Sequence, residues 1–161
     1  MGQVKVDIRG LEHLAKALGD KYSIKVGILG AKAQRQNGDT SKTNAEIGFI
    51  NEFGKQTGFP KIPARSFLRV PLTLYLSKYL KEKKSFAKKE VEKAAKTGKL
   101  LELAQKIGVV AEEVIQEAFN TSGFGNWAPN APYTVEMKGS DKPLIDTGEL
   151  RRSITSRAEK K

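Results

Sequence analysis

The sequence predicts an α+β fold: a small, mostly antiparallel sheet packed by two long helices, with an extended C-terminal arm over 121–154. Three observations predict it. Apolar residues alternate with polar ones at a period of two near the N-terminus, then recur at helical spacing over 71–80 and 100–119, and the chain beyond 120 turns rich in glycine and proline.

Val4, Val6 and Ile8 alternate with Lys5, Asp7 and Arg9, which puts one face of a first strand on a core. Leu11, Leu14, Ala15 and Leu18 share a helix face, and Gly19 is placed to end that helix in a left-handed cap. Ile24, Val26 and Ile28 alternate again as a second strand. The polar stretch 31–42, with Asn37-Gly38-Asp39, reads as a mobile loop. Thr43-Asn44-Ala45-Glu46 fits a capping box, so a short helix starts there, with Ile47, Ile50 and Phe53 on its inner face and Gly54 as its stop. Phe59-Pro60-Lys61-Ile62-Pro63 is a rigid, non-helical connector, because each proline biases its predecessor toward extended geometry.

Pro71 suits a first helical turn, and Leu72, Tyr75, Leu76, Tyr79 and Leu80 form the stripe of the first long helix. Beyond it the stripe thins to Phe86, Ala87, Val91 and Ala94 among lysines until Thr97-Gly98, a helical but poorly anchored segment. Leu100, Leu103, Ala104, Ile107, Val110, Ala111, Val114, Ala118 and Phe119 describe one face of the second long helix. Gly123-Phe124-Gly125 then reads as a flexible joint, and Pro129, Pro132 and Pro143 keep the arm irregular. Asp146 and Glu149 stand at the two ends of a capping box for one short turn, and a last strand follows over 153–157.

A length of 161 residues predicts one domain over 1–161. With 39% hydrophobic and 29% charged residues, and a mean hydropathy of -0.46, the chain has material for a core and is not disordered throughout. No apolar run approaches the ~20 residues that cross a bilayer, and the first residues lack the apolar stretch of a secretory signal, so synthesis in the cytosol with no membrane partner is expected. There is no cysteine, so stability must come from burial or from partner subunits. The net charge of +11 favours polyanions, although lysines solvating exposed helix faces account for it more simply.

Catalytic chemistry finds little to work with. His13 is the one histidine, and without cysteine a thiolate zinc site or a Cys-His nucleophile cannot be built within one chain. Gly98-Lys99 resembles the end of a phosphate loop, but Lys93 occupies the position of its first glycine. Glu112, Glu113 and Glu117 read as a solvated helix face, and capping accounts for Asp146 and Glu149. The expectation is a non-enzyme with no metal or cofactor.

Two segments carry a resemblance. Asn120-Thr121-Ser122-Gly123 leads through Trp127-Ala128-Pro129, Thr134 and Lys138-Gly139 to Pro143-Leu144-Ile145-Asp146-Thr147-Gly148-Glu149-Leu150-Arg151-Arg152-Ser153-Ile154. Upstream stand Asn51-Glu52-Phe53-Gly54 and Ile62-Pro63-Ala64-Arg65-Ser66-Phe67-Leu68-Arg69. Together they resemble the phage virion morphogenesis, or tail-completion, family, which is related to minor tail and neck proteins of tailed phages. Ser66 departs from the commoner proline of that pattern.

The resemblance implies a non-enzymatic structural protein that completes the head-proximal end of a phage tail and takes part in head-tail joining. It implies tail-tube and neck or connector proteins as partners, self-association with a hexameric ring favoured, and a place in the virion after assembly in the host cytoplasm. By the same implication Trp127, Arg65, Phe67, Asp146, Thr147, Leu150, Arg151 and Arg152 are candidate interface residues. The motif positions also have structural roles open to them: Gly54 and Gly148 permit tight turns, Phe67 and Leu150 fill a core, and Arg65 pairs with a carboxylate. The arm either orders on assembly with Trp127 as a buried anchor, or docks on its own domain.

Two alternatives stay open. A neck or head-tail connector protein would carry the same motifs. A basic nucleic-acid-binding module would set Lys78, Lys81, Lys83, Lys84, Lys88 and Lys89 against phosphates, as non-specific contact with phage DNA also would, although no base-reading motif accompanies them.

Overall fold

A computed structural model describes residues 10–35, 41–58 and 60–161. In chain order they form α1 (Glu12–Leu18), β1 (Tyr22–Ile28), α2 (Asn44–Phe53), α3 (Arg69–Glu82), α4 (Lys88–Lys96), α5 (Leu100–Asn120), α6 (Pro132–Lys138), α7 (Glu149–Arg152) and β2 (Ile154–Lys160). Short 3-10 turns stand at Gly19–Lys21, Gly30–Ala33 and Lys84–Phe86. β1 and β2 pair antiparallel, so the fold is α+β, with α3 and α5 as its long helices. The expected strand over Val4 to Ile8, residues 36–40 of the expected loop 31–42, and Phe59 lie outside the described residues. Among the described residues no helix is long and apolar enough to cross a membrane.

The chain divides into two compact units, each discontinuous in sequence. The described residues of the first are 10–26, Pro71–Val114 and Thr155–Lys161. Its core joins Leu11, Leu14 and Leu18 with Leu80, Phe86 and Val91, and with Leu103, Ala104, Ile107 and Val110 of α5. Each large apolar side chain fully buried there is worth about 1.5–3 kcal/mol. Tyr22 and Ile24 of β1 and Ala158 of β2 pack against this core. The sheet can lie close on α5 because residue 108 is glycine: a Cβ there would stand 2.5 Å from the Ser156 Oγ.

The lysine-rich segment is not the thinly anchored continuation of α3 that its sequence suggests. The helix ends at Glu82, and a 3-10 turn over Lys84–Phe86 redirects the chain before α4. That turn drives Phe86 inward, and one turn of α4 later Val91 follows; they are 2% and 1% exposed. His13 of α1 holds the same turn, its Nε2–H donating to the Phe86 carbonyl at 2.8 Å.

The second unit contains Gly27–Val70 and Ile115–Ile154. α2 begins with the expected capping box: the Glu46 amide donates to Thr43 Oγ1 at 3.1 Å and the Thr43 amide to Glu46 Oε2 at 2.7 Å. Its inner face differs from the apolar stripe. Asn44, Gly48 and Glu52 are the buried residues, whereas Phe53 is 53% exposed. Gly48 allows the close approach, since a Cβ there would meet Ile28 Cδ1 at 2.7 Å. Gly54 ends the helix as expected, at φ 76°, where any Cβ would strike the backbone of Ile62 and Ala64 at 2.8 Å.

The 121–154 segment folds back on its own unit rather than forming an extended arm. Pro132 begins α6 instead of preventing structure, because the first position of a helix needs no amide hydrogen. The expected joint at 123–125 is a bonded turn in which Ser122, Gly123, Phe124 and Gly125 all have positive φ. It is closed by the Gly123 amide on the Ala118 carbonyl at 2.7 Å and the Trp127 amide on the Ser122 carbonyl at 3.0 Å. Asp146 does not cap α7. Gly148 is the N-cap at φ 74°, and the Glu149 amide donates to Thr147 Oγ1 at 3.3 Å, which leaves Asp146 exposed.

Candidate interface site in the second unit

The geometry is organised by Glu52, which the sequence reading did not single out as a site residue. Its carboxylate is 5% exposed. Oε1 accepts the Ser66 hydroxyl at 2.5 Å and the Arg69 amide at 3.0 Å; Oε2 accepts the amides of Phe67 at 2.9 Å and Leu68 at 3.0 Å. These are amides that the start of α3 leaves without helical partners, and an anion there also opposes the positive end of the helix dipole. Ser66 completes the cap by accepting the Val70 amide at 2.9 Å. A proline at 66 has no hydroxyl for either bond.

From that anchored segment, Arg65 and Trp127 join the two stretches that carry the resemblance. Arg65 Nε donates to the Ala128 carbonyl and Nη2 to the Pro129 carbonyl, each at 2.7 Å. In return the Trp127 indole N–H donates to the Ser66 carbonyl at 3.0 Å. Phe67 and Phe119 lie 5.4 Å apart by ring centroid, and Phe119 meets Trp127 edge-on at 5.7 Å. Gly123 has no side chain because the indole occupies that space: a Cβ there would collide with the ring.

Three of the expected interface residues are thus buried within their own unit: Arg65 at 7%, Phe67 at 0% and Leu150 at 5% exposed. Trp127 is half-buried against its own unit. Arg151 is tied to α5, its Nε donating to Gln116 Oε1 at 2.6 Å while Gln116 Nε2 donates to the Arg151 carbonyl at 3.1 Å. Asp146, Thr147 and Arg152 are exposed. Asp146 and Thr147 open onto a cleft of about 240 Å³ walled by α2, α6 and the approach to α7, into which Arg65 and Lys138 also face.

The charges of this cleft are perturbed by their surroundings. Burial holds the Arg65 guanidinium below the ordinary arginine value. Burial also lowers Lys138; Asp146 opposes that shift and the neighbouring Arg65 adds to it. Glu52 and Lys138 stand in the segments that carry the resemblance, but their roles were not legible locally, because their partners are brought together only by the tertiary fold.

The candidate polyanion residues lie in the first unit. Lys78 and Lys81 are on the exposed side of α3, Lys84 follows in the 3-10 turn, and Lys88 and Lys89 begin α4, all exposed. Lys83 differs, since its Nζ is paired with Glu113 of α5 at 2.7 Å. Among the described residues no three His, Cys, Asp or Glu side chains gather as metal ligands would. No protein family, curated protein or solved structure matches the chain in comparison, so what it resembles rests on the residues of the two segments themselves.

Proposed function

We propose that the chain is a structural virion assembly protein that completes the head-proximal end of a phage tail and takes part in joining it to the head. One observation supports this reading above the others. The two segments that resemble the tail-completion family bond to each other through Arg65 and Trp127, in pairs 61–64 residues apart in sequence. Two chance likenesses have no reason to interlock, whereas the two halves of one structural signature do. The surface they build, with Asp146, Thr147 and Arg152 outward, is the part of the chain offered to tail and neck proteins. The same surface would serve a neck connector.

The test is complementation. Extracts containing the other virion proteins of the same genome, but lacking this chain, are expected to accumulate tails that do not join heads. Added chain should bind one tail end under the electron microscope and restore joined particles. Equal joining with and without it would sink the reading, and binding to portal-bearing heads before tails would favour the connector.

A further inference from the structure

We infer that the cleft between α2, α6 and the approach to α7 binds a single carboxylate of a partner protein, held between Arg65 and Lys138. Arg65 supplies the first ground. Its side chain is nearly sealed from solvent, and its bonds go to the neutral carbonyls of Ala128 and Pro129. Among the described residues no carboxylate forms an ion pair with it. A guanidinium buried among carbonyls has its hydrogen bonds partly met and its charge unmet, which is the costly arrangement.

Lys138 supplies the second. Its ammonium has three donors, one of which bonds the Lys142 carbonyl at 3.0 Å. Burial lowers Lys138 and the nearby Arg65 adds to that shift while Asp146 opposes it, so a further anion at the Lys138 ammonium is favoured.

The ligand's class follows from the rest of the lining. Among the described residues of the lining, Arg35, Arg65 and Lys138 stand with Asp146 and Glu149, a formal excess of one positive charge. A monoanion matches that balance, whereas a phosphate dianion would be repelled by the two carboxylates. The volume, about 240 Å³, suits one side chain, and Ile47, Leu144 and Leu150 offer apolar wall to its methylene stem. An Asp or Glu side chain, or a chain-terminal carboxylate, has that shape and charge.

This deepens the assembly reading by naming the chemistry of the partner, and its test needs no tail. The full chain, labelled with ¹⁵N, is titrated with N-acetylglutamate α-amide, N-acetyl-leucine, neutral N-acetylglutamine α-amide and inorganic phosphate. The signals followed are the Arg65 Nε–H and the amides of Asn130, Thr147 and Glu149. The carboxylates should move them together, with the glutamine analogue about tenfold weaker or worse, as loss of a charge-assisted bond predicts. The tighter of the two carboxylates identifies a side-chain or a terminal source. Lys138→Gln, at a half-buried side chain, should weaken binding by about three- to tenfold without altering the spectrum elsewhere. Arg65→Lys should weaken it further, and if that variant fails to fold the Lys138 result still decides. Equal binding of the glutamine analogue, tighter binding of phosphate, or an unchanged affinity in Lys138→Gln would overturn the proposal. Carboxylate binding that survives a failed tail complementation would count against the assembly reading alone.

Discussion

Both oxygens of the Glu52 carboxylate carry two hydrogen bonds, three of the four from the amides of Phe67, Leu68 and Arg69. Glu52→Gln keeps the shape and turns one oxygen into an amide that faces two donors. Losing charge-assisted bonds and leaving buried amides unpaired should cost about 2–4 kcal/mol, read as a lowered midpoint of urea unfolding. A variant as stable as the parent would mean that the start of α3 is held by packing alone. Gly123 offers a second test, with an optical reporter, because Trp127 is the one tryptophan of the chain. Gly123→Ala places a methyl group inside the indole's space at φ 71°, a conformation alanine adopts only at a cost of about 1 kcal/mol or more. Trp127 emission should shift to the red as the ring is expelled; unchanged emission would refute the collision. Neither residue's role is legible locally. Glu52 looks like a solvated helix residue until Ser66 to Arg69 return to it, and Gly123 looks like a hinge until Trp127 covers it.

Where elements meet, small residues set the distance. The Cβ of Gly108→Ala would lie 2.5 Å from Ser156 Oγ and 2.8 Å from its Cβ, so β2 must move off α5. Overpacking of this kind costs about 1–3 kcal/mol and outweighs the gain of up to about 1 kcal/mol from alanine's helix propensity. Ser156→Gly in the same chain should recover part of the loss, and a double-mutant cycle with no coupling would show that the two sites do not touch. The α2 cap makes a pH prediction. The Thr43 amide, then its hydroxyl, hold the Glu46 carboxyl below its ordinary value, so the charged form is favoured by folding. Its contribution is present above the ordinary glutamate value and fades as pH falls through the lowered folded one. Glu46→Gln should flatten that part of the acid-unfolding curve, and an identical curve would refute it. The cap and α5 were legible because four residues or a 3.6-residue period specify each. The break after Glu82 was not, since lysine and serine are ordinary helix-surface residues and nothing local sets a 3-10 turn between α3 and α4, although Phe86 was legible as part of the apolar stripe. The inner face of α2 misled because an Asn-Gly-Glu face is polar by composition and becomes a core only through distant partners.

Across the molecule a net charge of +11 must act at long range, and the arrangement of lysines in the first unit says where. Lys78, Lys81, Lys84, Lys88 and Lys89 are exposed, and Lys88 and Lys89 stand in the first turn of α4, where positive charge opposes the helix dipole. Lys93 and Lys96 occupy the favourable end of the same helix, so Lys88 and Lys89 are the pair at which an anionic surface would remove a repulsion as well as add attraction. Lys83 is the exception, held by Glu113. The expected behaviour is weak, sequence-independent binding to duplex DNA whose affinity falls steeply with salt. Replacing Lys78, Lys84, Lys88 and Lys89 with Gln should reduce the slope of log affinity against log salt by up to about 0.9 for each phosphate no longer neutralised. Lys83→Gln should change it less than any one of those four. A slope unaltered by the fourfold change would mean that the charge acts diffusely from the whole surface, and that the α3–α4 lysines are only its solvated exterior.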